Sequence, residues 1–128
     1  MDVLLSIKPR FVFEIINGRK KYEFRKNIFK QNIERIYIYS SNPTKKIIGY
    51  FTSDKILYDD KEKIWNLTHD VSGLSKEEYD NYFINKKKAY ALSISNLTLL
   101  ENYIDPYQKI KNFCPPQSFR YIERSVLE

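Results

Sequence analysis

The chain has 128 residues, with 42% hydrophobic residues, 16% aromatic residues and 30% charged residues. This length fits one domain, residues 1–128, with a compact core, and no apolar run approaches the roughly 18 residues that a membrane-spanning helix needs. The net charge is +6 and there is one cysteine, Cys114, so no internal disulfide can form. We therefore expect a cytoplasmic protein with a polyanionic partner and no membrane association.

The first seventeen residues predict a strand followed by a helix. Val3 to Ile7 alternates well enough for a strand, and Ser6 can cap the helix that follows. Pro9 suits the first turn of that helix, because its missing N–H costs little there. The helix is expected at Pro9 to Asn17, with an apolar stripe at Phe11, Ile15 and Ile16. Gly18 follows at the position where glycine commonly ends a helix.

The segment 18–26, with the sequence GRKKYEFRK, predicts a short strand with two different faces. Side chains alternate along a strand, so Tyr22 and Phe24 share a face that suits a core. Glu23 and Arg25 share the opposite, charged face. Lys20 falls in the turn before the strand and can reach round to both of them. The segment thus has the spacing G-x-K-x-x-E-x-R.

The rest of the chain predicts further strands that alternate with helices. The strands are expected at Ile33–Tyr39, at Lys46–Leu57 with a bulge or bend at Gly49, at Lys88–Leu99, and within the tail 114–122. The helices are expected within 59–71, after a capping box at Ser75–Glu78, and around Pro106. A turn is expected at 40–43. This order favours an α+β domain with a small curved or closed, mainly antiparallel sheet and two or three flanking helices.

The motif residues Gly18, Lys20, Glu23 and Arg25, together with the order of elements around them, resemble the ASCH domain family. The resemblance implies a PUA-like β-barrel over most of the chain. It also implies an RNA, nucleotide or modified nucleoside ligand, because PUA-like barrels bind RNA or modified bases. Some small bacterial ASCH-type proteins remove the acetyl group from acetylated cytidine, and others have been linked to RNA cleavage. In the former the motif lysine, here Lys20, is catalytic with a downstream glutamate, and their partner threonine falls where this chain has Glu23.

The residue inventory excludes several kinds of site. His69 and Cys114 are the only histidine and cysteine, so a zinc site has too few of its usual ligands. Three glycines cannot supply a glycine-rich phosphate loop or a dinucleotide fingerprint. We therefore expect no cofactor.

The motif itself can do three kinds of chemistry. Arg25 can hold a phosphate or carboxylate, and Glu23 can accept a hydrogen bond or act as a general base. Lys20 can act as a base or nucleophile if its pKa is lowered by burial and by the neighbouring cations Arg19, Lys21 and Arg25, whereas Glu23 raises that pKa. An ordinary strand with a surface ion pair, worth roughly 0–1 kcal/mol, is the alternative.

Further ligand contacts are predicted from basic, hydroxyl, amide and phenol groups, the types that contact phosphates and bases. These candidates are Lys8, Lys26, Ser40, Ser41, Gln117, Ser118, Arg120 and Tyr121. Ordinary turn and strand roles remain open for them, and the lysine run 86–88 is expected to be a solvated turn. A binding module, an enzyme that uses Lys20 and Glu23, and a regulatory protein all stay open as functions.

Overall fold

A computed structural model describes all 128 residues as an α+β arrangement of eight strands and four helices. The strands are β1 (Asp2–Ile7), β2 (Tyr22–Arg25), β3 (Ile36–Ser40), β4 (Lys46–Thr52), β5 (Ile56–Asp60), β6 (Lys88–Ser93), β7 (Ser95–Ile104) and β8 (Phe119–Ile122). The helices are α1 (Pro9–Ile16), α2 (Lys61–Thr68), α3 (Lys76–Tyr82) and α4 (Pro106–Lys109), with 3-10 turns at His69–Val71 and Arg124–Leu127.

The strands are divided between two sheets. One has five strands in the order β7-β4-β3-β1-β8, and the other has three in the order β2-β6-β5. Only β1 and β3 pair in parallel, and the chain between them passes through α1 and β2, as a parallel pair requires a long connection. The predicted α+β class is confirmed, although there are four helices rather than two or three. The closure of the two sheets into one barrel stays a prediction.

Two of the predicted strands are longer than the strands in the structure, because each passes from one sheet to the other. The segment expected at Lys46–Leu57 divides into β4 and β5, and the segment expected at Lys88–Leu99 divides into β6 and β7. Both breaks occur at the same place, where Ser93 Oγ accepts a hydrogen bond from the Lys55 amide at 3.0 Å. The two segments therefore run together as a ribbon that bends between the sheets.

The central strands are buried on both faces. Val3 and Leu5 of β1 contribute to one apolar cluster, which packs against α1, while Leu4 contributes to a second cluster on the other face of the sheet. A third cluster lies between the small sheet and the helices α2 and α3, and it includes Phe24 and Tyr79. Strands covered on both sides show near-continuous apolar sequences rather than strict alternation.

The start of α1 differs from the sequence prediction in one respect. Pro9 is the first helical residue, as predicted, but Lys8 occupies the N-cap position and no side chain caps the helix. Ser6 instead keeps a buried hydroxyl that has no hydrogen-bond partner. None of the helices has the length and apolar character that crossing a membrane requires.

Gly49 is a point of close packing between β4 and β7, and it generates a stability prediction. The β4–β7 register shifts beside Gly49, as expected for a bulge. A Cβ atom at this position would press directly against the carbonyl oxygen of Thr98. We expect Gly49→Ala to lower the free energy of unfolding by about 1–3 kcal/mol, because overpacking shifts the backbone. Urea denaturation measures this change.

The control for that measurement is Glu101→Ala, which alters an exposed side chain on β7. We expect it to change the free energy of unfolding by less than about 0.5 kcal/mol. Equal values for the two variants would contradict the close packing at Gly49.

Candidate functional site

A cavity of about 530 Å³ opens where the C-terminal end of β1 meets α1, β2 and α3. It is lined by Ser6, Ile7, Lys8, Phe11, Lys20, Glu23, Phe24, Arg25, Leu74, Glu78, Asn81, Tyr82 and Gln117. We call it the motif cavity, because the three charged motif residues lie side by side in its wall. The lining mixes charged groups with apolar surface, as is common in small-molecule sites.

Lys20 is the most deeply buried charged side chain of the motif cavity. Only 3% of the residue is exposed, and its Nζ donates to the carbonyl oxygen of Ser72 at 3.0 Å. The same atom lies 3.6 Å from Oε1 of Glu23 and 4.8 and 5.6 Å from the ring centres of Phe24 and Phe11. The ammonium thus has two polar partners and two aromatic neighbours, with almost no contact with water.

The segment 71–73 holds Lys20 in this position. Lys20 forms an isolated bridge with Ser72, and the Lys21 amide donates to the Val71 carbonyl oxygen at 2.8 Å. Gly73, with a φ of +74°, packs so closely that a Cβ atom there would lie 2.5 Å from the Cβ of Lys20. Only glycine allows both this backbone conformation and this close approach.

The pKa of Lys20 is lowered from its ordinary value. Burial is the main cause, since it disfavours the charged form, and the positive charges of Arg25 and Arg10 act in the same direction. Glu23 opposes them through its charge and its hydrogen bond, but it does not reverse the shift. The sequence predicted the sign of each contribution by Glu23 and Arg25. Arg19 does not contribute to lowering the pKa of Lys20. Its exposed side chain instead pairs with Glu14 at 2.6 Å.

Arg25 and Glu23 form a buried pair, so the alternative of a surface ion pair is wrong. Each residue is 7% exposed. The Arg25 Nε and Nη2 atoms donate to Glu23 Oε2 at 3.0 and 2.7 Å, and Nη1 and Nη2 donate to the carbonyl oxygens of Ser118 and Ser6, both at 2.9 Å. Arg25 therefore orients the carboxylate of Glu23, and most of its donors are already used within the protein.

Two of the other predicted ligand contacts, Lys8 and Gln117, line the motif cavity from opposite ends of the chain. Both are exposed. Lys8 follows β1 directly, and Gln117 precedes β8, which pairs with β1. Ser118 contributes its backbone carbonyl oxygen, which accepts from Arg25.

The remaining candidates do not line the motif cavity. Ser40 is buried at the end of β3, and Ser41 lies in the turn that follows. Arg120 is exposed on β8, and the Tyr121 hydroxyl accepts a hydrogen bond from the Lys30 amide at 2.8 Å. Lys26 lines a second cavity.

Sequence reasoning missed the contribution of α3 to the site. Glu78, Asn81 and Tyr82 line the motif cavity. The capping box correctly located the start of this helix, but it carried no information on which face would meet the motif strand. Ser6 was also missed as a lining residue, since its free hydroxyl is visible only once β1 is in place. No cluster of three or more histidine, cysteine or carboxylate side chains suited to a metal ion is present.

Comparison with known protein families and sequences gives a consistent result. The family model described as the ASCH domain matches residues 5–98. The chain is 29% identical over 126 residues to an ASCH domain-containing ribonuclease from Zymomonas mobilis, and the match covers 96% of this chain and 85% of that protein. It is also 27% identical over 124 residues to the large ribosomal subunit protein uL22 of Ureaplasma parvum, covering 94% of this chain but 39% of that protein.

Solved structures show the same fold. The crystal structure of the ASCH protein from Zymomonas mobilis matches with a TM-score of 0.89 at 28% sequence identity, covering 98% of this chain and 90% of that one. Two variants of that protein, one with a serine replaced by alanine and one with a tyrosine replaced by phenylalanine, match with the same TM-score of 0.89.

The burial of Lys20 predicts a specific pH dependence of folding stability. A lysine with a lowered pKa binds fewer protons in the folded state than in the unfolded chain. Its contribution to the free energy of unfolding therefore rises with pH between the folded pKa and the ordinary value of about 10.4. We expect Lys20→Met to remove this rise, because methionine fills similar space without a charge. Urea denaturation at several alkaline pH values measures it.

The matched control is Lys21→Met, which removes the exposed neighbouring lysine. Its stability should follow pH as that of the parent protein does. If the stability of the Lys20→Met variant rose with pH as steeply as that of the parent, the lowered pKa of Lys20 would be contradicted.

Proposed function

Because the chain belongs to the ASCH domain family, we propose that it acts on RNA, binding a single strand in the motif cavity and cleaving it with Lys20 as the proton-transfer group. One observation carries this proposal: a buried lysine with a lowered pKa lies in the wall of an open cavity, beside an oriented carboxylate. A lysine whose pKa is lowered is neutral in a larger fraction at a given pH, which favours a role as general base. The similar Zymomonas mobilis protein is a ribonuclease, which supports the choice of substrate.

The proposed reaction needs few groups. Neutral Lys20 takes the proton of a ribose 2′-hydroxyl, and the 2′-oxygen attacks the adjacent phosphorus. The bond from phosphorus to the 5′-oxygen breaks, and the leaving oxygen takes a proton from solvent water. The protonated Lys20 then gives its proton to the hydroxide ion that remains, which restores the neutral amine. The products are a 2′,3′-cyclic phosphate and a 5′-hydroxyl end. Glu23 stabilises the positive charge that develops on Lys20, since its Oε1 lies 3.6 Å from Nζ.

Three further groups suit substrate binding. Lys8 and Gln117 are both exposed at the cavity. Their ammonium and amide groups can donate hydrogen bonds to phosphate oxygens. Ser6 offers a buried hydroxyl that makes no hydrogen bond within the protein, and a ligand group would satisfy it. Arg25 acts as a positioning residue, because its donors hold Glu23 and two backbone carbonyl oxygens.

A second candidate function is removal of the acetyl group from acetylated cytidine. Glu78 favours it, because it is a glutamate downstream of the motif that lines the same cavity as Lys20. Its carboxylate is, however, engaged on both oxygens. Oε1 accepts from the Ser75 amide at 2.8 Å, and Oε2 pairs with Arg10 at 2.6 Å. This leaves Glu78 with fewer free lone pairs for substrate, so RNA cleavage is the better supported reaction.

The first test of the proposal is the activity of Lys20→Met on a fluorescently labelled single-stranded oligoribonucleotide. Loss of the proton-transfer group should lower kcat/KM by about 10²- to 10⁴-fold. Lys21→Met, with the neighbouring exposed lysine changed in the same way, should keep the parent's activity. Circular dichroism and denaturation verify that each variant is folded.

The outcomes separate the candidate functions. Cleavage by a folded Lys20→Met variant at the parent's rate would contradict the role of Lys20. RNA binding by the parent without cleavage would leave a binding module, and release of acetate from acetylated cytidine without RNA cleavage would favour the second candidate.

The second test concerns the pH dependence of cleavage. Glu23 raises the pKa of Lys20, so the Glu23→Gln variant should have a Lys20 that loses its proton at lower pH. We expect the acidic limb of the kcat/KM profile to move to lower pH in this variant, because the neutral amine is the active form. Glu77→Gln removes an exposed carboxylate on α3 and should leave the profile unchanged. A shift to higher pH would contradict a base role for Lys20.

A further inference from the structure

The second cavity, of about 590 Å³, differs sharply in charge from the motif cavity. It is lined by Lys26, Asn27, Ile28, Lys30, Tyr58, Lys86, Lys87, Lys88 and Tyr90, and we call it the lysine cavity. Five of these nine residues are lysines and none is acidic. A concave surface lined by one sign of charge attracts polyanions and concentrates them locally.

Three separate parts of the chain build the lysine cavity, one of which is Tyr58 on β5. Lys26 and Lys30 follow β2, while the run 86–88 comes from the turn between α3 and β6 and from the start of β6. They meet because β2 pairs with β6, with Arg25 opposite Tyr90. The run is exposed, as expected for a turn, but it is not an isolated solvated turn, because two lysines from another segment line the same cavity.

An aromatic pair lies in the same cavity. The rings of Tyr58 and Tyr90 stack with centres 4.2 Å apart and planes 23° apart, and these residues are opposite each other in the β5–β6 pair. Tyr58 remains 52% exposed. An exposed ring among cations is the arrangement on which single-stranded nucleic acids stack their bases, largely without regard to sequence.

The lysine cavity adjoins the motif cavity. Lys26 directly follows Arg25, a lining residue of the motif cavity, and itself lines the lysine cavity. Its Nζ lies 4.7 Å from the ring centre of Tyr82, which also lines the motif cavity. A strand bound in one cavity can therefore continue past Lys26 into the other.

We propose that the lysine cavity is an extended binding site for single-stranded RNA, in which lysines contact phosphates and Tyr58 stacks on an unpaired base of the strand that enters the motif cavity. This inference rests on the proposed function and adds the path of the substrate. The motif cavity supplies the chemistry, and the lysine cavity supplies affinity that grows with strand length.

The experiment measures binding by fluorescence anisotropy at several salt concentrations. The probes are labelled single-stranded oligoribonucleotides of about 4 and about 12 nucleotides, lengths at the two ends of common site sizes. The parent should bind the longer strand more tightly. The double variant Lys86→Ala/Lys87→Ala should lose most of this advantage, with a salt slope smaller by about 1.4, because each phosphate contact to a single strand contributes about 0.7.

The matched control for charge is Lys109→Ala/Lys111→Ala. It also removes two exposed lysines, but neither lines either cavity. It should leave the length advantage and the salt slope close to those of the parent. Equal losses in the two double variants would overturn the proposal, since net charge alone would then explain binding.

A second pair of variants tests stacking. Tyr58→Ala should weaken binding of the longer strand by about tenfold, the lower range for loss of one base–aromatic stack. Tyr58→Phe should restore it, because the ring is kept. An RNA duplex should bind Tyr58→Ala and the parent equally well, since paired bases cannot stack on Tyr58. Equal loss of duplex and single-strand binding would overturn the stacking role.

One outcome separates this inference from the proposed function, and another contradicts both. If the parent cleaves RNA through Lys20 but all lysine-cavity variants bind the longer strand as the parent does, the extended site is wrong and the cleavage site stands. If the parent binds no RNA, the extended site and the cleavage site are both contradicted.

Vesicles of phosphatidylserine are an added probe. Binding to them that Lys86→Ala/Lys87→Ala abolishes, with RNA binding unchanged, would assign the cavity to a membrane surface and overturn the proposal.

Discussion

The buried guanidinium of Arg25 is the constraint on which the rest of the structure depends. It binds Glu23 within its own strand, the Ser6 carbonyl oxygen in β1 and the Ser118 carbonyl oxygen just before β8. Burying a cation is costly unless it is paired and its donors are satisfied, and these three partners meet that requirement together. The same bonds fix the small sheet against the large one and bring the tail to the edge of the motif cavity.

Glu23 serves two cations with two different oxygens. Oε2 accepts both bonds from Arg25, which leaves Oε1 directed at Lys20. A threonine, which the family resemblance places here in the deacetylating proteins, has one oxygen and no charge, so it could not neutralise both cations. The carboxylate holds the lysine pKa higher than burial alone would, so this chain's lysine becomes neutral at a higher pH than it would beside threonine.

Local patterns in the sequence were sufficient to predict the motif strand. Alternation correctly placed Glu23 and Arg25 on one face, and the capping box and Gly49 marked a helix start and a bulge. The burial of Lys20 could not be predicted, because it depends on Ser72 and Gly73, some fifty residues away along the chain. The break between β6 and β7 was also hidden, since Ile94 continues the apolar pattern there, whereas the polar residues 52–55 mark the break between β4 and β5.

The two cavities differ in the charge of their lining residues, and this difference suits two different tasks. In the motif cavity Lys20 and Arg25 are paired with Glu23 and with backbone oxygens, so the exposed Lys8 is the one remaining lining cation that can attract a polyanion. The lysine cavity has five cations and no carboxylate, so long-range attraction arises there. On the proposed function, a lysine that must lose its proton cannot also be a strong phosphate anchor, because the neutral amine carries no charge. On the proposed function, separating the two tasks allows Lys20 to be buried while the lysines of the lysine cavity remain exposed to solvent.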